Sequence, residues 1–249
     1  MSSNPWLSCP KPNPVATVRL FCFPYSGAAA SVYYPWADLL PPNIEVCPVQ
    51  LPGHGTRLRE PLATRLAPQV EALAAGLAPA FDRPFAFFGH SMGALLSFEL
   101  ARYLRRTGRP GPVHLFVSGH GAPHLPDRNP PLHALPDDQF VAKLRELNGT
   151  PEEVLRHQEL LQLLIPVLRA DFAVCETYVY QPEPPLACPI SAYGGLGDGY
   201  VNREELAAWR EQTTGPFALR MFPGDHFYLN SPANRTHLLM ALARELLKL

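Results

Sequence analysis

The sequence predicts a single α/β domain: a mostly parallel central sheet with helices on both faces and an inserted helical lid. Three observations predict it. Strand-type and helix-type runs alternate from Val18 to Ser118. A Gly-x-Ser-x-Gly segment (Gly89 to Gly93) joins an aromatic strand-like run directly to a long helix-like one. The alternation then stops for about sixty residues after Pro123 and resumes at Cys188. At 249 residues the chain has ample length for one sizeable α/β core, so the expected organisation is one domain over 1–249, with a flexible leader at 1–16 and a lid insertion at about 124–181.

Taken in order, prolines at 5, 10, 12 and 14 deny the leader regular structure. A strand over 18–23 ends at Pro24-Tyr25-Ser26-Gly27-Ala28-Ala29, where small residues leave the backbone open to approach. A short helix over 32–40 and a strand over 44–50 follow, then a turn-rich loop whose His54 reads as a surface residue. Val70, Leu73, Leu77 and Phe81 recur at helical spacing and place a helix over 66–81. Phe85, Phe87 and Phe88 mark the next strand, and Leu95, Leu96, Phe98, Leu100 and Leu104 the helix after it, whose basic end from Arg102 to Arg109 suits the helix dipole. After a strand over 113–118, helical segments are expected at 137–147, 151–156, 159–168 and 169–180. The third has too many apolar positions for one buried stripe, with Pro166 as a bend point. Strands at 188–193 and 217–222 and helices at 203–212 and 233–247 complete the sheet.

The strand, Gly-x-Ser-x-Gly, helix context is that of a nucleophile elbow. The chemistry needs small residues at Gly89 and Gly93 because the serine sits on a sharp, strained turn that lifts Ser91 Oγ above the sheet. The following helix points its positive end and the Met92 N–H at an oxyanion formed beside Ser91. A second oxyanion donor is expected at Ser26, with Gly27 supplying the bend. Two further residues stand at strand ends, Asp198 and His226, giving the Ser, acid, His order of the α/β-hydrolase arrangement. His90, His120 and His124 are weaker candidates for the base, since only His226 follows the last strand in a Gly-containing loop. The stretch 118–126 contains no Asp or Glu, which favours Asp198 as the acid, and Asp225 would face away from the ring of its neighbour His226.

Charge and composition bound the rest. With 21 basic against 22 acidic residues and a net charge of -1, there is no electrostatic footprint for nucleic acid or an anionic membrane. No stretch has the apolar length of a membrane span, the first fourteen residues lack the apolar core of a signal peptide, and a cytosolic location is expected. Among five cysteines, Cys22, Cys47 and Cys188 lie in strand-like runs as small hydrophobes, so neither a disulfide nor a metal site is assigned.

Phe-Pro24-Tyr25-Ser26-Gly27, Gly-His90-Ser91-Met92-Gly-Ala94, Gly195-x-x-Asp198-x-x-Val201 and Gly224-Asp-His226-Phe227 together resemble the type II thioesterases of polyketide and nonribosomal peptide synthesis, across about 17–247. The chain departs from that family in having Gly27-Ala28 for two consecutive glycines and Gly195-Leu196-Gly197-Asp198 for Gly-Asp-x-Asp. The resemblance implies a monomeric editing thioesterase that needs no cofactor. It would strip stalled acyl or aminoacyl groups from the phosphopantetheine arm of carrier protein domains through Ser91, His226 and Asp198, with Met92 and Ser26 as oxyanion donors. Tyr25, Gly27, Leu164 and Phe227 are assigned to substrate binding. A small-molecule carboxylesterase using the same triad, and a catalytically silent binding protein on the same fold, stand as alternatives.

Overall fold

The computed structural model describes residues 4–248. Six strands form one parallel sheet: β1 (Val18–Phe23), β2 (Ile44–Pro48), β3 (Phe85–His90), β4 (Leu115–Ser118), β5 (Ile190–Gly195) and β6 (Phe217–Phe222), in the order β2-β1-β3-β4-β5-β6. The strands are apolar on both sides because both faces are covered. Phe21 and Phe23 of β1 and Phe85 and Phe87 of β3 pack on the face covered by α1 (Leu66–Leu77) and α2 (Met92–Arg106). Their alternates Leu20, Cys22, Ala86 and Phe88 pack on the opposite face, against Tyr33, Trp36 and α7 (Pro232–Leu246). Strand order reverses between β1 and β3, so the crevice at their C-terminal ends is the topological switch point where such sheets bind ligands. Among the described residues no helix is long and apolar enough to cross a membrane.

Between β4 and β5 the chain leaves the sheet for a proline-rich loop and three helices, α3 (Asp137–Leu147), α4 (Glu152–Arg156) and α5 (Gln158–Glu176). These build a small core of their own around Phe140, Leu144, Leu155 and Leu168. A short α6 (Arg203–Ala207), opened by an Asn202–Glu205 capping box, follows β5.

The structure corrects three expectations. Residues 4–16 are not a loose arm: Gln50 N donates to the Trp6 carbonyl at 2.9 Å and Ser8 N to the Pro48 carbonyl at 3.0 Å, so the segment covers the edge beyond β2. The Trp6 ring fits beside Gly76, where a Cβ would collide with it, and under the Arg57 guanidinium, 4.1 Å from the ring centroid. The helices expected at 159–168 and 169–180 are one, because α5 runs straight through Pro166. Pro166 is solvent-exposed there, so the Gln162 carbonyl that loses its helical donor can turn to water, and the buried face of Val167, Leu168, Ala170, Asp171, Ala173 and Val174 holds the helix together. Nor do the surplus apolar residues all turn inward. Leu160 and Leu163 are 45 % and 66 % exposed, while Leu161, Leu164 and Ile165 pack against the small insertion core.

An exposed proline inside a helix costs about 1–3 kcal/mol relative to alanine, less what it saves by stiffening the unfolded chain. Pro166→Ala should therefore raise the thermal midpoint by roughly 2–4 °C for each kcal/mol recovered. A lower midpoint in a calorimetric scan would mean that the ring makes a contact outweighing the lost hydrogen bond.

Candidate active site

β3 ends at His90, and Ser91 follows with φ 53° and ψ −119°, a left-handed conformation that a side chain rarely adopts. Its neighbours explain how it is held. A Cβ at Gly89 would strike the backbone of Gly93 and Ala94, and one at Gly93 would strike the Phe23 carbonyl at the end of β1. The two glycines therefore let strand, helix and adjacent strand close on the serine. Ser91 N–H donates to the Ser118 carbonyl at 2.8 Å, which fixes the elbow to β4. Met92, first residue of α2, has one of the N–H groups that a helix cannot satisfy internally.

Asp198 and His226 reach the same place from the ends of β5 and β6. The loops run close together, since a Cβ at Gly195 would collide with the Asp225 carbonyl. Asp198 Oδ1 accepts the N–H groups of Tyr200 (2.8 Å) and Val201 (3.2 Å), and Oδ2 accepts His226 Nδ1–H at 2.8 Å. The carboxylate assigns the ring its tautomer: Nδ1 carries the hydrogen and the lone pair is left on Nε2. The Asp198 side chain is 1 % exposed. Burial alone would raise its pKa, but the His226 bond and charge and the two backbone donors outweigh this and lower it. Ser91 and His226 line the same cavity without a direct hydrogen bond between them.

The rejected candidates have other partners. Asp225 accepts from Phe227 N–H (2.9 Å) and Asn148 Nδ2 (3.1 Å), tying the histidine loop to the end of α3. His90 is fully buried behind the elbow, its Nδ1 on Ser118 Oγ at 2.8 Å. His120 lines the cavity with Nδ1 on the Gly121 carbonyl, and His124 Nδ1 accepts from Gln212 Nε2. His54 overturns its surface reading: it is buried, 4 % exposed, with Nε2 2.9 Å from Asp171 of α5.

After β1, Tyr25 to Ala28 form a tight turn closed by Ala28 N–H to the Tyr25 carbonyl at 3.0 Å, with Gly27 at φ 78° in the position that demands glycine. Among the described residues the Ser26 and Met92 N–H groups find no protein acceptor. The cavity beside Ser91 measures about 570 Å³ and is roofed by the insertion. Its apolar wall includes Leu95, Leu132, Leu144, Leu168, Phe172 and Tyr178. Of the residues assigned to substrate binding, Tyr25 and Phe227 line it, their rings edge-to-face at 5.1 Å, whereas Leu164 and Gly27 do not. Leu164 joins the insertion core, and Gly27 lies beneath Leu168. Sequence reasoning missed Leu132, Leu144 and Phe172, because which face of α3 or α5 turns inward depends on how the insertion folds back. The one group of potential metal ligands among the described residues, Cys9, Glu45 and Cys47, sits at the β2 edge. Its Glu45 oxygens already accept from Arg19 Nε (2.7 Å) and Asn13 N–H (2.9 Å).

Because the folded state lowers the Asp198 pKa, its contribution to stability is present above the unfolded value of about 3.9 and lost as pH falls through the folded one. The stability gap between the parent and Asp198→Asn should stay level from pH 5 to 8 and shrink below about pH 4. A gap that widens on acidification in denaturant titrations would contradict this ionisation.

A sequence profile of the thioesterase domain matches residues 18–246. The gramicidin S biosynthesis protein GrsT of Aneurinibacillus migulanus is 50% identical over 226 residues, 91% of this chain and 88% of that protein. The RedJ thioesterase from the prodiginine biosynthetic pathway in Streptomyces coelicolor has a TM-score of 0.88 at 42% identity, covering 96% of this chain and 90% of that one. The type II thioesterase BorB from the borrelidin biosynthetic cluster has a TM-score of 0.88 at 38% identity over 98% of both chains. An elbow serine, a buried Asp–His pair and an apolar cavity on a parallel sheet, matched by a family profile over nearly the whole chain, have one conclusion: this chain belongs to the thioesterase domain family, on the α/β-hydrolase fold.

Proposed function

We propose that the chain hydrolyses acyl or aminoacyl thioesters carried on the phosphopantetheine arm of carrier protein domains, in the editing role that relatives of biosynthetic clusters suggest, with Ser91 as nucleophile. The carrying observation is the 2.8 Å Asp198–His226 bond beside an elbow serine that opens on an apolar cavity. His226 Nε2 takes the Ser91 Oγ proton as Oγ attacks the thioester carbon. The oxyanion is met by the Met92 and Ser26 N–H groups, and the proton passes to the departing thiolate. Water, deprotonated by the same nitrogen, then attacks the acyl-serine carbon; the proton returns to Oγ and the carboxylic acid leaves. Asp198 holds the ring and balances its transient charge throughout. One chain supplies every group, which supports action as a monomer.

Residues 124–181 act as the lid in this reading, supported by their roofing of the cavity and by the bond from Asn148 to the histidine loop. A volume of about 570 Å³ lies within the usual range of small-ligand pockets and admits an acyl group rather than a folded peptide.

Ser91→Ala should keep the fold and lose at least about 10³-fold in turnover. Asp198→Asn should cost on the order of 10⁴, and Asp225→Asn far less. Intact-mass measurement of acyl-loaded carrier proteins before and after treatment reads all three. Loads left unchanged by the parent would refute the carrier reading, and a reversed order of the two aspartates would move the relay. Phe172→Ala, which enlarges the cavity wall without touching the triad, should shift preference toward longer acyl groups. An unchanged chain-length profile would place the acyl chain elsewhere.

A further inference from the structure

One carboxylate links the insertion to the catalytic machinery without belonging to the triad or the cavity wall. Asp171, on the buried face of α5, is 2 % exposed. Its Oδ2 accepts the Gly27 N–H at 2.7 Å and the His54 Nε2–H at 2.9 Å. His54 Nδ1 in turn lies 2.9 Å from the Pro52 carbonyl. Both neighbours of this ring are oxygens. A carbonyl only accepts, and so does an ionised carboxylate, so beside a charged Asp171 both ring nitrogens donate, as in an imidazolium. Burial works to lower its pKa, but the Asp171 bond and charge and the Pro52 carbonyl outweigh that and raise it.

The position of this pair gives it consequence. Gly27 follows Ser26, whose N–H is the proposed oxyanion donor, so the bond from Gly27 fixes the turn that aims it. The same turn is packed from above, since a Cβ on Gly27 would come within 2.6 Å of Leu168 Cδ2 of α5. The chain just beyond the turn is tied to the His54 loop by Gln50, whose Oε1 accepts Ala30 N–H at 3.3 Å and whose Nε2 donates to the His54 carbonyl at 2.8 Å. A bare carboxylate this close to a developing oxyanion would oppose it by like-charge repulsion, and the His54 cation removes that penalty.

We propose that Asp171, neutralised by His54, is a positioning residue for thioester cleavage: it holds the Ser26–Gly27 turn in the geometry that meets the oxyanion and makes that geometry depend on the seating of α5. The proposal rests on Ser26 serving as an oxyanion donor. It is tested with an acyl-N-acetylcysteamine thioester, which needs no carrier protein. Functional enzyme is counted by fluorophosphonate titration. Asp171→Ala should lower kcat per titrated site by about 10- to 100-fold, less than the 10²–10³ of deleting an oxyanion donor, with KM within about twofold. Affinity for a trifluoromethyl ketone, whose adduct carries the oxyanion, should fall by the same factor while affinity for the product acid holds. Asp171→Asn, which keeps an acceptor for Gly27, should recover most of the loss. His54→Ala, which leaves the carboxylate unpaired, should be worse than the double variant His54→Ala/Asp171→Asn. If Asp171→Ala does not fold, the Asp171→Asn and His54 comparisons carry the test. A loss confined to the titre, the melting temperature or KM, with kcat per site and ketone affinity unchanged, would overturn the proposal. Parent enzyme that fails to turn over the thioester, or that turns it over without Ser91, would instead overturn the catalytic reading.

Discussion

Ser91 can stand at the end of β3 only because the residues two before and two after it, Gly89 and Gly93, carry no side chain, and the rest of the site is arranged around that close approach. The Gly93 backbone lies against the Phe23 carbonyl and the Gly89 backbone against α2, so β1, β3 and the start of α2 converge on one point. Both proposed oxyanion donors belong to segments fixed by that convergence, Ser26 just after β1 and Met92 at the first turn of α2. The strained serine costs on the order of 1–3 kcal/mol. The strands that carry it bury Phe21, Phe23, Phe85, Phe87 and Phe88, each contributing about 1.5–3 kcal/mol, so the frame outweighs the strain several-fold. The rings of Phe21, Phe85 and Phe87 also meet edge-on across β1 and β3, which resists sliding of one strand against the other.

Sequence legibility divides along this frame. β1 and β3, which carry the apolar runs bounded by turn residues, lie where the pattern puts them, and α2 and α3 match their helical periods. Asp198 and His226 could be found because each follows a strand in a Gly-containing loop, a local signal with a chemical meaning. His54 could not. Its partner Asp171 lies 117 residues away, and nothing in Leu-Pro-Gly-His-Gly tells a solvated loop from one covered by a helix of the insertion. The leader failed for the same reason, since its prolines correctly exclude regular structure but say nothing of Trp6 reaching a notch at Gly76. Pro166 misled because a breaker is read locally, while α5 is held by burial along its second half.

That half of α5 also explains why the insertion serves the site rather than merely covering it. Leu168 touches the turn after β1, and Phe172 and Cys175 face the cavity, while the first half of the helix leaves Leu160 and Leu163 in water.

Two buried histidine–aspartate pairs therefore lie near one serine, and they differ in the second nitrogen of the ring. His226 has a carboxylate at Nδ1 and, among the described residues, no hydrogen-bond partner at Nε2, so that nitrogen is left open in the cavity the ring lines. His54 has a carboxylate at Nε2 and a carbonyl at Nδ1, so both ring nitrogens are held by oxygens and neither is open to a substrate. Buried ion pairs stabilise little in net terms because desolvation consumes the attraction, yet removing one partner is severe, since the other is then left as a buried charge. That asymmetry suits a structural clamp on a turn where misplacement by a fraction of an ångström weakens an oxyanion contact, and it would ruin a base. The chemistry of each pair is set by whether the backbone offers the imidazole a second oxygen.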